Sequence, residues 1–201
     1  MEKKVLISEN TLKERIKELA SEITKDFEGE PITLVCILKG SIYFFADLSR
    51  QIQLDTELEF IRVQSYKGEE STGEIEMLLD LDKDIAGKNV IVVEDIVDTG
   101  ETLKYLLEYL QIQDPKTLSL CCLLDKPDRR KRNINIDVDY VGFTIPNHFV
   151  IGYGLDLDQK YRTLPEIYCF VEEGQEEQLE QDKEAIKLQL KYGNRHQQTK
   201  E

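Results

Sequence analysis

The sequence lacks the features of a membrane-embedded, secreted or nucleic-acid-binding protein. Tryptophan is absent, and no apolar run approaches the roughly 20 residues that span a bilayer. Residues 1–10 contain no apolar core of the kind that a signal peptide requires. The 26 basic residues are outnumbered by 40 acidic ones, so the net charge is −14, which argues against nonspecific affinity for nucleic acid or anionic membranes. We therefore expect a cytoplasmic protein that binds neither nucleic acid nor membranes.

Cysteine is scarce, and its positions show no metal-binding or redox pattern. The four cysteines all lie within apolar runs, at Cys36, Cys121, Cys122 and Cys169. No Cys-x-x-Cys pair and no Cys/His ligand spacing occurs, and a free cysteine in such surroundings behaves as a small buried apolar residue. We predict structural thiols in a reducing compartment.

The order of the predicted elements is typical of one α/β domain. With 201 residues, of which 40% are hydrophobic, the chain can form one such domain but hardly two. Apolar residues at helical spacing predict a first helix behind a cap at Asn10 or Thr11. Strands are predicted over residues 32–38, 58–64, 90–93, 117–124 and 138–143, with room for a hairpin around 75–79. Strands that alternate with helices form a doubly wound, mainly parallel sheet flanked by helices.

The end of the chain differs in composition from the rest. Residues 172–201 are rich in charged residues and glutamine, and their main apolar side chains are Leu179, Ile186, Leu188 and Leu190. A segment of this composition cannot bury enough apolar surface to form a second core. We therefore predict one domain over residues 1–171 and a charged C-terminal extension over residues 172–201, as a solvated helix or a disordered segment. An oligomer contact or a partner-binding arm is the alternative.

The segment from residue 90 to residue 102 carries the clearest chemical pattern. Four β-branched residues predict a buried parallel strand. The polar residues that follow are, in order, Glu94, Asp95, Asp98, Thr99, Gly100 and Thr102. This order places carboxylates at the carboxyl end of a strand, where open α/β sheets bind ligands, and free N–H groups at a helix start, where phosphate binds. The segment therefore predicts a site for a phosphorylated sugar.

Other interpretations of this segment fit less well. A P-loop would need Gly-Lys-Ser/Thr at the end of the turn, and a dinucleotide fingerprint would need more glycines than Gly100. The alternative without a ligand-binding role is an ordinary strand–turn–helix that is capped by Asp98 and Thr99. Two acids, an apolar pair, Asp-Thr-Gly and a second threonine together resemble the phosphoribosyl-pyrophosphate signature of the type I phosphoribosyltransferases. The resemblance implies the fold of that family, with a small hood beside the sheet.

Four further segments narrow the resemblance to the hypoxanthine-guanine phosphoribosyltransferases, over about residues 35–170. The first two are Leu38-Lys39-Gly40, at the end of a core strand, and Ser65-Tyr66, at the start of a long glycine-bearing connection. The resemblance implies that Lys39 and Gly40 hold pyrophosphate and that the peptide before the lysine can be cis. It also implies that Ser65 and Tyr66 belong to a mobile loop that closes during the reaction, and closure would exclude water that competes for the sugar carbon.

The other two segments are Asp125-Lys126-Pro127 and residues 142–156. The resemblance assigns the purine to Lys126, Phe149, Val150 and Asp156, and it adds Arg162 as a pyrophosphate ligand. Lys126 would donate to the six-oxo group, and because an ammonium only donates, this favours a 6-oxopurine over adenine. Phe149 would stack on the base, and Val150 would offer backbone groups to its edge. The alternatives without a binding role are a surface lysine for Lys126, core packing for Phe149 and a surface ion pair for Arg162.

The implied reaction joins hypoxanthine or guanine to phosphoribosyl pyrophosphate and gives IMP or GMP and pyrophosphate. Asp98 would be the general base at purine N7, while Glu94 and Asp95 bind the ribose and Thr99, Gly100 and Thr102 bind the 5′-phosphate. Mg²⁺, which prefers oxygen ligands, would be held by Glu94, Asp95 and Asp156. We also expect a homo-oligomer, either a dimer or a tetramer. Two alternatives remain, a xanthine-preferring phosphoribosyltransferase and a noncatalytic regulator that senses the sugar pyrophosphate.

Three residues depart from the family pattern. Asn147 stands where relatives commonly have Asp, Glu101 adds a negative charge to the phosphate turn, and His148 is not characteristic of the family. We expect Glu101 to point away from the phosphate. We expect His148 to be exposed rather than catalytic, because the mechanism has no role for it.

Overall fold

A computed structural model of the chain describes residues 2–65 and 75–192. The strands in these residues are β1 (Glu2–Ile7), β2 (Ile32–Ile37), β3 (Thr56–Ser65), β4 (Ile75–Leu79), β5 (Asn89–Val97), β6 (Thr117–Asp125), β7 (Tyr140–Thr144), β8 (Val150–Ile151) and β9 (Ile167–Val171). The helices are α1 (Glu9–Asp26), α2 (Ile42–Gln51), α3 (Glu101–Gln111) and α4 (Glu176–Tyr192), with a short 3₁₀ helix at Pro127–Arg129.

The larger sheet has the strand order β4-β3-β2-β5-β6-β7. Strands β3, β2, β5, β6 and β7 are parallel, and β4 pairs antiparallel with β3 at one edge. From β2 the chain first adds β3 on one side and later adds β5 on the other. The topological switch point, where open α/β sheets bind ligands, therefore lies between the ends of β2 and β5.

Helices cover both faces of this sheet, and the central strands are apolar for that reason. Leu34 of β2 packs with α1 and α2 in one apolar cluster, whereas its neighbour Val35 packs with α3 in a second cluster on the opposite face. Successive side chains of a strand point to opposite faces, so a strand with two covered faces needs an unbroken apolar run. The predicted doubly wound, mainly parallel sheet is confirmed.

The smaller sheet forms the hood and has the order β1-β9-β8. Lys4 of β1 lies opposite Cys169 of β9 in an antiparallel pair, and β8 pairs antiparallel with the other edge of β9. The sequence pattern predicts neither β1 nor β9. Strand β1 begins with charged residues, and its partner lies near the other end of the chain, so no local signal marks it.

Helix α1 begins earlier than its sequence predicts. Ser8 is the N-cap, and its Oγ accepts a hydrogen bond from the Thr11 N–H at 3.3 Å. Asn10 and Thr11, the predicted caps, therefore lie in the first turn. Several short polar side chains can accept such a bond, and here the end of β1 at Ile7 decides which one does so.

Part of the C-terminal extension is a packed helix. Leu179 and Ile186 of α4 are 1% and 2% exposed, and Leu190 packs partly buried against the same core. Residues at positions i, i+7 and i+11 share one face of a helix. The prediction of a solvated helix or disordered segment is therefore wrong for residues 176–192, because a narrow apolar stripe is hidden in a strongly polar composition. Residues 193–201 lie outside the described residues.

The four cysteines are free and buried, as predicted. Burial raises the pKa of the Cys36 thiol to about 11, and it also raises the pKa of Cys121, Cys122 and Cys169. Thiols in this state are poor nucleophiles. Within the described residues, no helix combines the length and the apolar character needed to cross a membrane.

Candidate active site

The turn after β5 forms a small polar pocket at the carboxyl edge of the sheet. Gly100 precedes α3 with a φ of +84°, a left-handed conformation that glycine adopts readily. A Cβ atom at this position would lie 2.8 Å from Ile136 Cδ1, so the turn has little room for a side chain. The pocket has a volume of about 190 Å³ and is lined by Glu94, Ile96, Val97, Asp98, Thr99, Gly100, Glu101, Thr102 and Leu103. Its N–H groups and hydroxyls at a helix N-terminus suit a phosphate.

Glu94 and Asp95 form a partly buried acid pair beside this pocket. The Oε2 atom of Glu94 is buried and has no hydrogen-bond partner in the described part of the chain. Burial, followed by the neighbouring Asp95, raises the pKa of Glu94 well above its usual range. Burial also raises the pKa of Asp95 to about 6, although the Ile96 N–H and the charge of Arg162 lower it. Hydroxyl donors or a cation would stabilise this pair, because a buried acid without a partner is costly.

Close backbone contacts join the turn after β2 to the acid pair. A Cβ atom on Gly40 would lie 1.7 Å from Asp95 Oδ2, and one on Gly154 would lie 1.8 Å from the Gly40 carbonyl oxygen. The peptide between Leu38 and Lys39 is cis. Three segments of the chain thus meet here at distances that only glycine permits. Gly154 was not assigned a role from the sequence, and the Gly-x-Gly spacing at residues 152–154 is the signal that could have identified it.

Arg162 lies at the same corner of the site. Its Nη1 donates to the Gly154 carbonyl oxygen at 2.7 Å, and its Nη2 is paired with Asp156 Oδ1 at 2.8 Å. The Nε atom of Arg162 is buried without a hydrogen-bond partner among the described residues. Lys39 Nζ donates to Gln159 Oε1 at 3.4 Å. A guanidinium with an unused donor and a nearby ammonium suit a pyrophosphate.

The residues assigned to the base come from the end of β6 and from the hood. Lys126 is 6% exposed, and its Nζ donates to the His148 carbonyl oxygen at 2.5 Å; burial lowers the pKa of this ammonium. Phe149 is 55% exposed, with its ring centroid 6.1 Å from that of Phe170. Val150 is buried in β8 opposite Cys169. Lys126 is therefore not a surface lysine, and Phe149 is not a core residue but has ring surface free for a planar ligand.

Two arginines hold the segment that carries Asp98. Arg129 Nε donates to Asp98 Oδ1 at 2.9 Å, and Arg130 Nη1 donates to the Asp98 carbonyl oxygen at 2.6 Å. Arg130 is also paired with Asp125, and both side chains are largely buried. The sequence shows a basic run here but assigns neither arginine a role. The exposed Arg129 pair contributes little, so a substrate can displace it while Arg130 keeps the backbone in place.

The predicted metal ligands do not form a preassembled site. Among residues 2–65 and 75–192, no group of three or more His, Cys, Asp and Glu side chains is placed to hold a metal ion. Asp156 is paired with Arg162, so Glu94 and Asp95 are the remaining candidates. Mg²⁺ is usually bound through one or two carboxylates, with waters and substrate phosphates completing its shell. Glu94 Oε2, which has no hydrogen-bond partner within residues 2–65 and 75–192, fits such an ion.

Two further sequence predictions concern the connection after β3 and Glu101 of the phosphate turn. Ser65 is the last residue of β3, whereas Tyr66 and the loop that follows lie outside the described residues. Glu101 has a side chain that is 55% exposed, and its Oε1 is 2.6 Å from Lys131 Nζ. The negative charge of Glu101 is thus compensated by a lysine at the surface.

His148 is not the exposed residue that the sequence predicts. Its side chain is 24% exposed, and its Nε2 lies 2.7 Å from Asp182 Oδ2 of α4. The prediction is wrong because α4 packs against this part of the hood. A concavity of about 850 Å³ lies where they meet and is lined by Asn147, His148, Phe149, Leu157, Phe170, Val171, Glu172, Gly174, Gln175, Gln178 and Leu179.

Known proteins resemble this chain over most of its length. The family model for the phosphoribosyl transferase domain matches residues 7–158. The hypoxanthine phosphoribosyltransferases of Buchnera aphidicola and Escherichia coli are 49% and 46% identical to it, over 82% and 81% of this chain and 93% and 92% of theirs. A crystal structure of a hypoxanthine-guanine phosphoribosyltransferase from Bacillus anthracis has 49% identity and a TM-score of 0.79, and it covers 84% of this chain and 98% of its own. With the fold, the phosphate turn and these matches in agreement, the chain belongs to the phosphoribosyltransferase family.

Proposed function

We propose that this chain is a purine-salvage enzyme that transfers the phosphoribosyl group of phosphoribosyl pyrophosphate to hypoxanthine or guanine. The products are IMP or GMP and pyrophosphate. The observation that carries the proposal is the presence, on one edge of the sheet, of a phosphate turn, a partly buried acid pair and a buried lysine. This lysine contacts the segment that bears an exposed phenylalanine. Relatives that match most of the chain are named hypoxanthine phosphoribosyltransferases, which supports the choice of base.

The sugar phosphate would bind to the turn after β5. The N-terminus of α3 and the hydroxyls of Thr99 and Thr102 would hold the 5′-phosphate, and Glu94 and Asp95 would accept hydrogen bonds from the ribose hydroxyls. As the bond to pyrophosphate breaks, the sugar carbon becomes positively charged. Carboxylates that are already in place stabilise that charge without reorganisation, and fixed positioning of both substrates removes much of the entropic barrier.

The leaving group would be held by Lys39, the Gly40 turn and Arg162. The Nε atom of Arg162, which has no hydrogen-bond partner among the described residues, would donate to a pyrophosphate oxygen. Mg²⁺, when bound, neutralises negative charge on the pyrophosphate. Glu94 and Asp95 are the residues of this chain that would hold it, and Asp156 would join them if its ion pair with Arg162 opened.

The base would lie between Phe149 and the end of β5. Stacking on an aromatic ring contributes about 1–3 kcal/mol per base, and the Lys126 ammonium would donate to the six-oxo group. Val150 would offer its backbone groups to the purine edge. Asp98 would accept the N7 proton as the base attacks the sugar carbon, after the Arg129 hydrogen bond to its carboxylate opens.

Product formation from four bases tests the proposal. The purified protein is incubated with phosphoribosyl pyrophosphate, Mg²⁺ and either hypoxanthine, guanine, xanthine or adenine, and nucleotides are separated by chromatography. We expect IMP and GMP, little product from adenine, and loss of activity in excess chelator that added Mg²⁺ restores. Product from xanthine alone would favour the xanthine-preferring alternative. Tight binding of phosphoribosyl pyrophosphate with no product from any base would favour the noncatalytic sensor.

A homo-oligomer, as a dimer or a tetramer, is part of the same proposal. The supporting observation is a set of large apolar side chains left exposed on α2 and β3, namely Ile42, Tyr43, Leu58 and Phe60, each between 39% and 47% exposed. Exposed apolar surface is a common feature of protein contacts. The solution mass of the wild-type protein and of a Phe60→Ser variant would test this, with a smaller mass expected for the variant.

A further inference from the structure

Helix α4 lies outside the part of the chain that defines the family. The family model ends at residue 158. The Bacillus anthracis structure is covered over 98% of its length but covers 84% of this chain, so a part of this chain has no counterpart there. Helix α4 is nevertheless anchored in the main core through the buried Leu179 and Ile186. Helix α4 is therefore held in place by the core and can influence the position of residues in the candidate active site.

Gln189 of α4 binds the end of the edge strand β7. Its Oε1 accepts a hydrogen bond from the Thr144 N–H at 2.8 Å, and its Nε2 donates to the Thr144 carbonyl oxygen at 2.8 Å. The glutamine side chain thus satisfies both backbone groups of one residue, as a neighbouring strand would do. Thr144 is the point at which the chain leaves the sheet for the segment that carries Phe149. Gln189 therefore fixes the start of this segment.

Asp182 of α4 fixes the other end of the same segment. Its Oδ2 lies 2.7 Å from His148 Nε2, its Oδ1 accepts from Gln178 at 3.0 Å, and its side chain is 13% exposed. His148 is adjacent to Phe149, and its carbonyl oxygen accepts the hydrogen bond from Lys126. A base that enters must share or take over this ammonium, which has three donors. An anchor on His148 that does not depend on Lys126 keeps the segment in position during that exchange.

We propose that Gln189 and Asp182 are positioning residues for purine binding, and that α4 presets the segment from Thr144 to Phe149 so that the base meets an ordered site. The proposal rests on the proposed function, because it takes Lys126 and Phe149 as the residues that bind a 6-oxopurine. A prepositioned site loses less conformational freedom when the ligand binds. Loss of either anchor therefore weakens base binding more than it weakens binding of phosphoribosyl pyrophosphate, whose ligands lie elsewhere.

The test uses the full-length protein with variants and matched controls on the same helix. Gln189→Ala removes both hydrogen bonds to Thr144, whereas Gln189→Glu keeps the acceptor for the Thr144 N–H and loses the donor. Gln181→Ala is the control, since this glutamine is exposed on α4. Asp182→Ala removes the hydrogen-bond partner of His148 and is matched by Glu184→Ala, which removes a carboxylate from an exposed position on the same helix. The measurements are KM for hypoxanthine, KM for phosphoribosyl pyrophosphate, kcat and melting temperature.

We expect Gln189→Ala and Asp182→Ala to raise KM for hypoxanthine about threefold to tenfold. Gln189→Glu should also raise it, because one carboxylate oxygen then faces the Thr144 carbonyl oxygen. The KM for phosphoribosyl pyrophosphate should stay within about twofold of wild type, and both controls should behave as wild type. Hypoxanthine KM values equal to wild type in Gln189→Ala and Asp182→Ala would overturn the proposal. Equal increases in the KM for hypoxanthine and the KM for phosphoribosyl pyrophosphate would also overturn it. If Gln189→Ala is too unstable to assay, Asp182→Ala decides alone, because its pair with His148 is partly exposed. Inactivity of the wild-type protein towards 6-oxopurines would instead refute the proposed function, and this proposal with it.

Discussion

Replacing Lys126 with methionine separates the contribution of this side chain to base recognition from its contribution to stability. The lysine is 6% exposed, burial lowers the pKa of its ammonium, and its Nζ donates to the His148 carbonyl oxygen. Methionine has a similar length and fills the same space, but it has no donor. The substitution therefore removes the proposed hydrogen bond to the six-oxo group and leaves the packing largely unchanged.

The expected loss of recognition follows from the cost of an unpaired polar group. A buried acceptor that loses its donor costs about 1–3 kcal/mol, which corresponds to a decrease of about 5-fold to 150-fold in kcat/KM for hypoxanthine and guanine. Stability should respond much less. Loss of the bond to His148 costs about 0.5–1.5 kcal/mol, and removal of a buried ammonium offsets part of this cost. We expect the free energy of unfolding to change by less than about 1.5 kcal/mol.

Steady-state kinetics at saturating phosphoribosyl pyrophosphate, together with urea unfolding, measures both quantities. Lys104→Met is the control, because Lys104 has a side chain that is 46% exposed on α3. Unchanged kcat/KM in Lys126→Met would refute the role of Lys126 in binding the base. A large decrease in the free energy of unfolding together with the decrease in kcat/KM would show that the role of Lys126 is structural. In the wild type, recognition should also weaken as the pH rises through a Lys126 pKa that lies below the ordinary 10.5.

Three further predictions concern the acids of the site and the core. Asp98→Asn should lower kcat by about 10²–10⁴-fold, the usual scale for a general base, with binding of phosphoribosyl pyrophosphate preserved; near wild-type turnover would exclude this role. Asp95→Asn should raise the melting temperature at pH 8, because the folded-state pKa of about 6 lies above the ordinary 3.8, so that ionisation costs stability progressively between these two pH values and fully above the higher one. This gain should vanish towards pH 4, and an equal gain at both pH values would contradict the assignment. Leu179→Ala should destabilise the protein by about 2–5 kcal/mol and Leu188→Ala, at a position 45% exposed, by less than about 0.5 kcal/mol; equal effects would mean that α4 is not packed.

The C-terminal extension shows where reasoning from composition failed. The residues of α4 are mostly polar, and the average composition of the segment predicts that it is exposed to solvent. Leu179 and Ile186 are nevertheless buried, and the helix that carries them contacts a surface made by β1, α1 and β7. The position of that surface depends on contacts between distant parts of the chain. For the same reason the hood strand β1 and the pair of His148 with Asp182 were missed.

The doubly wound sheet and the phosphate turn were predictable because both depend on the local order of residues: an apolar strand, acids at its end, and a glycine turn before a helix. The motif at residues 94–102 therefore maps onto one pocket. The tertiary structure alone decided how separate turns meet, as where Gly40, Asp95 and Gly154 approach at distances that exclude a Cβ atom. It also decided that Asp156 pairs with Arg162 and that Arg130 holds the backbone of Asp98. The contacts of Gly40 and Arg130 join residues that are far apart in the chain, and their geometry exists only once the strands are aligned. Asp156 and Arg162 are close in the chain, but their pairing depends on the folded conformation of the loop that carries them.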